Sequence, residues 1–209
     1  MSDTRERILM TALRLFAKDG YEAVSVSQIA GELGMTKGAL YKHFKNKRDI
    51  FDSIVARMVR QDHDRALAYD VPPETAAEGT EAYRRTALAD FKRFTLAQYG
   101  YWVGDEFAAA FRKMLALEQY RSPEMGALYQ SCLVSGPVAY TADVFEAMME
   151  EGLLRRDDPQ RLAVAYFAPL LLLIQMADGE AALPNPEETL EALIDQFFAR
   201  YGAEGGENA

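Results

Sequence analysis

Apolar side chains recur at three- and four-residue spacing along most of the chain, while strand signals are poor throughout, and this restricts the fold to helices packed on helices. Ile8, Leu9, Ala12, Leu13, Leu15 and Phe16 make one apolar face, and Val26, Ile29, Ala30 and Leu33 make the next. Ile50, Phe51, Ile54, Val55 and Met58 line a third. Helix punctuation surrounds these runs. Asp3 or Thr4 can cap the first helix, and Gly20 ends it as a residue able to take positive φ. Ser25 opens the second with Gln28 three positions on, a capping box, and Gly34 stops it. Thr36 caps a short third helix through His43 or Phe44, and Asn46-Lys47-Arg48-Asp49 leads into a fourth that runs to about residue 69. The fold class expected is all-α, with a small N-terminal head and a larger C-terminal helical domain.

The segment VPPETAAEG (71–79) holds two prolines and a glycine, and a domain boundary belongs there. The expected organisation is a head over residues 1–48, a connecting helix over 49–70, a C-terminal domain over 71–202 and a frayed tail over 203–209. In the C-terminal domain one helix is expected at about 80–100 and another at about 104–120. Ser122-Pro123-Glu124 opens the next, as a cap, a first-position proline and a first-turn acid. Gly136-Pro137 separates that helix from one closed by Gly152, and Asp158-Pro159 and Asn185-Pro186 begin the last two.

Those last two carry large apolar stripes. LAVAYFAPLLLLI (162–174) is apolar nearly all round, reads as too short to span a bilayer, and should kink at Pro169. Covering both helices needs more surface than one small domain offers. A second copy of the chain supplies it, as a four-helix bundle about a two-fold axis, with Leu162, Phe167, Leu171, Leu190, Ile194, Phe197, Phe198 and Tyr201 at the interface. The competing reading places both helices centrally in a monomer core.

At 209 residues, 49% apolar and 26% charged, the chain can bury a real core. Its single cysteine, Cys132, favours a reducing setting, and residues 1–20 hold no apolar signal core, so a cytoplasmic location is expected, away from membranes. The net charge of -9 is unevenly spread. Residues 1–60 hold eleven Lys/Arg against seven Asp/Glu, and the remainder holds twelve against twenty-five. A cationic head on an acidic body suggests a small part that meets a polyanion.

The cations gather in TKGALYKHFKNKRDIF (36–51). Two short helices joined by Gly-Met-Thr have helix-turn-helix spacing, in which the second helix enters the DNA major groove. Leu40 and Phe44 share one side of that helix, which leaves Gly38, Tyr41 and Lys42 on the other with Lys37 and Ala39 at its edges. Backbone N–H groups at the helix start suit a phosphate or base edge, and Thr36 caps them. Lys37 can donate to guanine or sit near phosphate, and Tyr41 offers a hydroxyl to phosphate and a ring to a thymine methyl. Lys42 and His43 extend the positive rim, while Ser25 and Lys47 can clamp the DNA backbone at either end.

SVSQIAGELGMTKGALYKHFKNKRDIF resembles the DNA-binding signature of TetR-type (tetracycline-repressor family) regulators. The matching residues include Ser25, Ile29, Ala30, Gly34, Thr36, Lys37, Gly38, Leu40, Tyr41, His43, Phe44, Asn46, Lys47 and Phe51, and ALRLFAKDGYEAVSV before them is similar too. The resemblance is detailed over residues 5–58. It implies a homodimeric repressor that binds double-stranded operator DNA and leaves it when a small molecule enters the C-terminal domain. Family DNA contacts carry over to Ser25, Thr36, Lys37, Gly38, Ala39, Tyr41, Lys42, His43 and Lys47, with Ala39 and Lys42 as the specificity readers. An adaptor or activator without ligand-induced release is the alternative.

QYGYWVGDEFAAAFRKMLALEQY (98–120) is rich in aromatics and Met. Phe94, Tyr99, Trp102, Phe107, Phe111, Met114, Glu118, Tyr129 and Tyr140 are candidates to line an effector cavity, against the reading that they are core. The effector expected is apolar or aromatic, with Glu118 able to meet a cationic group. No cofactor or metal is expected. The two histidines, His43 and His63, and the one cysteine match no hydrolase, zinc or phosphate-loop pattern, and Asp157-Asp158 reads as a helix cap. Enzymatic function is therefore not expected.

Overall fold

The computed structural model describes residues 3–73, 83, 85–179 and 183–203, and ten helices lie among them. These are α1 (Asp3–Asp19), α2 (Val26–Glu32), α3 (Lys37–Leu40), α4 (Lys47–Ala68) and α5 (Leu88–Gly104). α6 (Glu106–Glu118), α7 (Pro123–Leu133), α8 (Ser135–Glu150), α9 (Pro159–Met176) and α10 (Pro186–Tyr201) follow. Among the described residues the sole β pairing is an isolated bridge between Leu154 and Gly202. The fold is all-α. Most of the segment 71–79, the start of the helix expected at 80–100 and the tail beyond residue 203 lie outside the described residues.

Packing divides the chain into two compact units, each drawn from two stretches of sequence. The first holds the chain up to Gln61 together with Gly104–Tyr129, and the second holds Asp62–Val103 and the chain from Gln130 onward. α6 therefore belongs with the head, although 37 residues, 69 to 105, separate it from the end of α4 in the sequence.

In the first unit α1 packs against α6 and α2, and α2 against α3. α1 contributes the buried Ile8, Leu9, Ala12, Leu13 and Phe16, the face its spacing predicts. α6 answers with Phe107, Ala108, Phe111, Met114 and Leu115. Asp105 caps α6 by accepting the Ala108 N–H at 2.9 Å. This packing takes in three of the expected cavity residues. Phe107, Phe111 and Met114 are fully buried in the helix–helix core of the head unit, where their bulk seals α6 to its neighbours.

The second unit has an aromatic centre. Phe91 of α5 stacks on Tyr166 of α9 at 5.4 Å, and Phe145 of α8 meets both rings edge-on, at 5.7 and 5.2 Å. Phe197 of α10 closes the cluster, 5.1 Å from Tyr166. The buried Tyr166 hydroxyl pairs with Thr95 Oγ1 at 2.9 Å, so the one polar group at this centre is satisfied. Lys92 of α5 ties α10 from outside through Asp195 at 2.6 Å and Glu191 at 3.0 Å.

Gly136-Pro137 does not separate two helices as expected; it lies in the first turn of α8, where a proline has no helical N–H bond to lose. Gly136 is required there by space, because a Cβ on it would sit 1.9 Å from the Ser131 carbonyl oxygen. The apolar run at 162–174 extends to an 18-residue helix, α9, which is long and apolar enough to cross a membrane by length and composition. Pro169 lies inside it. α9 packs on α8 and α10 through Leu162, Ala163, Tyr166, Leu170, Leu173 and Ile174.

Candidate nucleic-acid interface

The recognition elements are built by capping. Ser25 Oγ accepts the Gln28 N–H at 3.2 Å while Gln28 Oε1 accepts the Ser25 N–H at 2.7 Å, so both ends of the predicted capping box are closed. Val26, Ile29 and Ala30 point inward from α2, and Gly34 at φ +63 turns the chain. Thr36 Oγ1 then accepts the Ala39 N–H at 3.2 Å and opens α3. The helix is one turn long, shorter than the expected run to His43 or Phe44, but the coil continues through the bonds His43 N–H to Leu40 O (2.9 Å) and Phe44 N–H to Leu40 O (3.2 Å).

Leu40 and Phe44 are buried, and their neighbours fall where the wheel puts them. Thr36, Lys37, Gly38 and Lys42 are exposed, Tyr41 keeps 44% of its surface open, and Ala39 and His43 are partly covered. The Lys37 ammonium sits 5.7 Å from the Tyr41 ring, a spacing at which cation and ring attract. Ser25 is exposed at the start of α2. Asp49, the carboxylate within this cationic stretch, is engaged locally: its Oδ2 accepts the Lys45 N–H at 2.8 Å, and its own N–H donates to Asn46 Oδ1 at 2.8 Å. Asn46 thus caps α4, and Asp49 in its first turn reaches back to the Lys45 backbone.

Lys47, expected to clamp the DNA backbone, is engaged within the head, with Glu22 Oε2 3.8 Å from its ammonium. Its ammonium donates to the Tyr21 carbonyl at 2.8 Å and to the Glu22 carbonyl at 3.4 Å, and lies 4.2 Å from the Tyr21 ring centroid. It is turned into the head.

Four features of this unit escaped sequence reasoning. Arg5 donates to the His43 carbonyl at 2.5 Å and to Ser53 Oγ at 3.1 Å. Arg57 pairs with Glu6 and covers the Phe107 ring at 4.0 Å. Arg14 meets Glu106 at 2.6 Å, and Arg48 meets Glu124 at 2.6 Å. The partners are 38 to 92 positions apart, which no local period reveals. Arg14 holds the Glu106 carboxyl below the usual carboxylate range by hydrogen bonding, and Arg48 does the same to Glu124.

Of the candidate effector residues, Phe94, Tyr99, Trp102 and Tyr140 lie in the second unit, and Phe107, Phe111, Met114, Glu118 and Tyr129 lie in the first. Tyr140 donates its hydroxyl to the Pro72 carbonyl at 2.8 Å and packs 6.4 Å from both Phe91 and Phe94. Glu118 is buried and accepts the Tyr21 N–H at 2.9 Å. The residues expected on the two-fold surface differ in exposure. Leu162, Leu190 and Ile194 are at most 2% exposed and Phe197 is buried, because these side chains fill the chain's own core. Val164, Leu172 and Leu193 are the large apolar residues that α9 and α10 leave exposed, and Phe167, Leu171, Phe198 and Tyr201 are half-covered. A surface groove of about 500 Å³ runs beside Leu193, from Pro184 to Gln196.

Residues 8–54 match the bacterial regulatory proteins of the tetR family, and residues 89–203 match the AefR-like transcriptional repressor C-terminal domain. The chain is a TetR-family transcriptional regulator. The head of this regulator is 51% identical over 47 residues, 22% of the chain, to the HTH-type transcriptional regulator YerO of Bacillus subtilis. That stretch spans 16% of YerO, so the match covers less than a fifth of that relative's length. A longer likeness, 29% identical over 213 residues, covers 98% of the regulator and 83% of tetracycline repressor protein class D of Escherichia coli. Its fold matches SmeT in a SmeT–triclosan complex with a TM-score of 0.72 at 20% identity, over 97% of this chain and 93% of SmeT.

Proposed function

We propose that this TetR-family regulator is a homodimeric repressor that lays the turn beginning at Thr36 into the major groove of an operator and is released by a small molecule bound in its C-terminal domain. The observation that carries the DNA reading is the two-sidedness of that turn: Leu40 and Phe44 are buried while Thr36, Lys37, Gly38, Tyr41 and Lys42 face outward. Lys37 and Tyr41 grip phosphate, and Gly38 lets the backbone close in, since nothing but Thr36 Oγ1, at 3.9 Å, lies near its missing Cβ. Ala39 and Lys42 read bases. Ser25, Thr36 and His43 complete the footprint at the backbone. Lys47 joins it only by leaving the Tyr21 carbonyl, and it is the member of the set that the geometry favours least.

A dimer supplies two such heads, and half-sites then lie one helical turn apart, about 34–36 Å, or a multiple of it. Its two-fold surface is built on the open sides of α9 and α10, around Val164, Leu172 and Leu193, with Phe167, Leu171, Phe198 and Tyr201 at the edge of burial. The effector is apolar or aromatic, in keeping with Phe94, Tyr99, Trp102 and Tyr140; triclosan, which SmeT binds, is an aromatic molecule. It must bind the released arrangement better than the DNA-bound one, and a coupling of ~1–3 kcal/mol lowers operator affinity roughly 5–150-fold.

The test is selection of duplexes from a random pool by the full-length protein, followed by fluorescence anisotropy across a salt series. Sequence-selective binding whose logarithm falls linearly with the logarithm of salt supports the reading. Equal, weak binding to every duplex overturns it.

A further inference from the structure

Glu118 stands where an acid is not expected. It closes α6 inside a packed core, 1% exposed, and its Oε1 accepts the backbone N–H of Tyr21, 97 positions earlier, at 2.9 Å. The turn it reaches is shaped to receive it. Gly20 holds φ +85, which favours glycine, and a Cβ there would lie 2.9 Å from the same Oε1 and 3.0 Å from Arg121 Nη2. Arg121 Nε lies 3.5 Å from the carboxylate and balances its charge.

Tyr21 is held on its other side as well. Its carbonyl accepts the Lys47 ammonium at 2.8 Å, and its ring meets Phe16 at 5.2 Å and Phe51 at 5.1 Å, both edge-on. Lys47 is the first residue of α4, three positions beyond the buried Phe44 that ends the recognition turn. Glu118, Tyr21 and Lys47 thus form a continuous line from the end of α6 to the junction of the recognition turn with α4.

We propose that this line is a positioning relay, and that Glu118 fixes the orientation of the recognition turn without touching DNA. The inference rests on the DNA-binding reading above and deepens it. A backbone N–H bonded to a buried carboxylate is charge-assisted and strong, whereas the exposed pairs Arg14–Glu106 and Arg48–Glu124 are screened by solvent and hold little. Removing the Glu118 acceptor orphans the Tyr21 N–H, frees the turn, and lets Lys47 and the start of α4 shift.

The experiment uses full-length Glu118→Ala, Glu118→Asp and Glu118→Gln with the duplex that the wild type selects. Affinity is read by anisotropy over a salt series, and the backbone amides by 1H–15N spectra. For Glu118→Ala, at temperatures where circular dichroism shows it folded, affinity falls about tenfold with an unchanged salt slope, because no phosphate contact is lost. The Tyr21 amide moves upfield, and shifts spread to residues 36–44. Glu118→Gln, whose amide oxygen still accepts, restores most of the affinity and the Tyr21 shift. If Glu118→Ala does not fold, Glu118→Asp, one methylene short of the turn, carries the test with the same expected loss. Wild-type affinity in folded Glu118→Ala or Glu118→Asp, a reduced salt slope in either, or amide changes confined to residues 20 and 21 overturns the relay. A wild type that selects no duplex overturns the DNA reading itself, so the two failures are distinct.

Discussion

The Arg5 guanidinium donates to the main-chain carbonyl of His43 at 2.5 Å, which joins the first turn of α1 to the end of the recognition turn. The same group lies 4.0 Å over the Phe44 ring, so one side chain caps an orphan carbonyl and covers the aromatic anchor beside it. Arg5→Ala is expected to cost about 1–3 kcal/mol, the value of a hydrogen bond from a charged donor to a partly buried acceptor. Urea unfolding measures it, and a midpoint equal to wild type at equal slope contradicts the assignment.

Two glycines that end helices separate backbone conformation from crowding. Gly34 at φ +63 has nothing within 4 Å of a would-be Cβ, whereas Gly20 at φ +85 meets Glu118 Oε1 at 2.9 Å. Gly34→Ala should lose roughly 1 kcal/mol, the conformational cost alone. Gly20→Ala should lose more, about 2–3 kcal/mol, since it also displaces a buried carboxylate. Equal losses in thermal unfolding would remove crowding as the reason for Gly20.

On the outer face of the recognition turn, Lys37→Ala should weaken binding to most duplexes and reduce the salt slope by ~0.9, the signature of one phosphate contact. Tyr41→Phe should weaken binding with the slope intact, since it removes a neutral donor. Substituting Ala39 or Lys42 should change which sequence is selected. Anisotropy against wild-type and permuted duplexes distinguishes these outcomes.

The open side of α9 and α10 gives a test of assembly. Leu172 is 60% exposed and Leu193 is 38% exposed, so Leu172→Glu with Leu193→Glu should leave the chain folded and shift it from dimer to monomer in sedimentation velocity. Leu190, fully buried, should behave in the opposite way: Leu190→Ala loses about 2–5 kcal/mol of stability. A double Glu variant that stays dimeric places the two-fold surface elsewhere.

Acid and base act on different groups. Glu106 and Glu124 have carboxyls held low by Arg14 and Arg48, so their pairs stabilise the head unit above the ordinary carboxylate range and lose that contribution as pH falls through the lowered values. Both pairs are exposed, so Arg14→Gln with Arg48→Gln should change the acid limb of the thermal-stability profile only slightly. Burial pushes the Cys132 thiol up to about 11, so the thiol form stabilises the fold below its ordinary pKa and that contribution fades as pH rises toward the shifted one. Alkylation of native Cys132 by iodoacetamide should therefore stay slow at pH 8 and accelerate only near pH 11.

What the sequence determined by itself is local. Ser25 with Gln28, Thr36 and Asp158 cap the helices they precede, because a cap needs only a side chain and an N–H two or three residues on. The inward Leu40 and Phe44 and the outward Lys37, Tyr41 and Lys42 follow from helical period, so the exposed face of the turn was legible too. Tertiary structure decided the partners of groups that face inward. Phe107, Phe111 and Met114 look the same in sequence whether they line a cavity or seal α6 into the head. Likewise, spacing does not tell which side of an apolar helix faces its own core, as Leu190 does, and which stays open, as Leu193 does. Glu118 and Lys47 are acids and bases that a sequence assigns to ligands, and the fold turns both onto Tyr21, because a buried charge takes whatever partner the packing brings within reach.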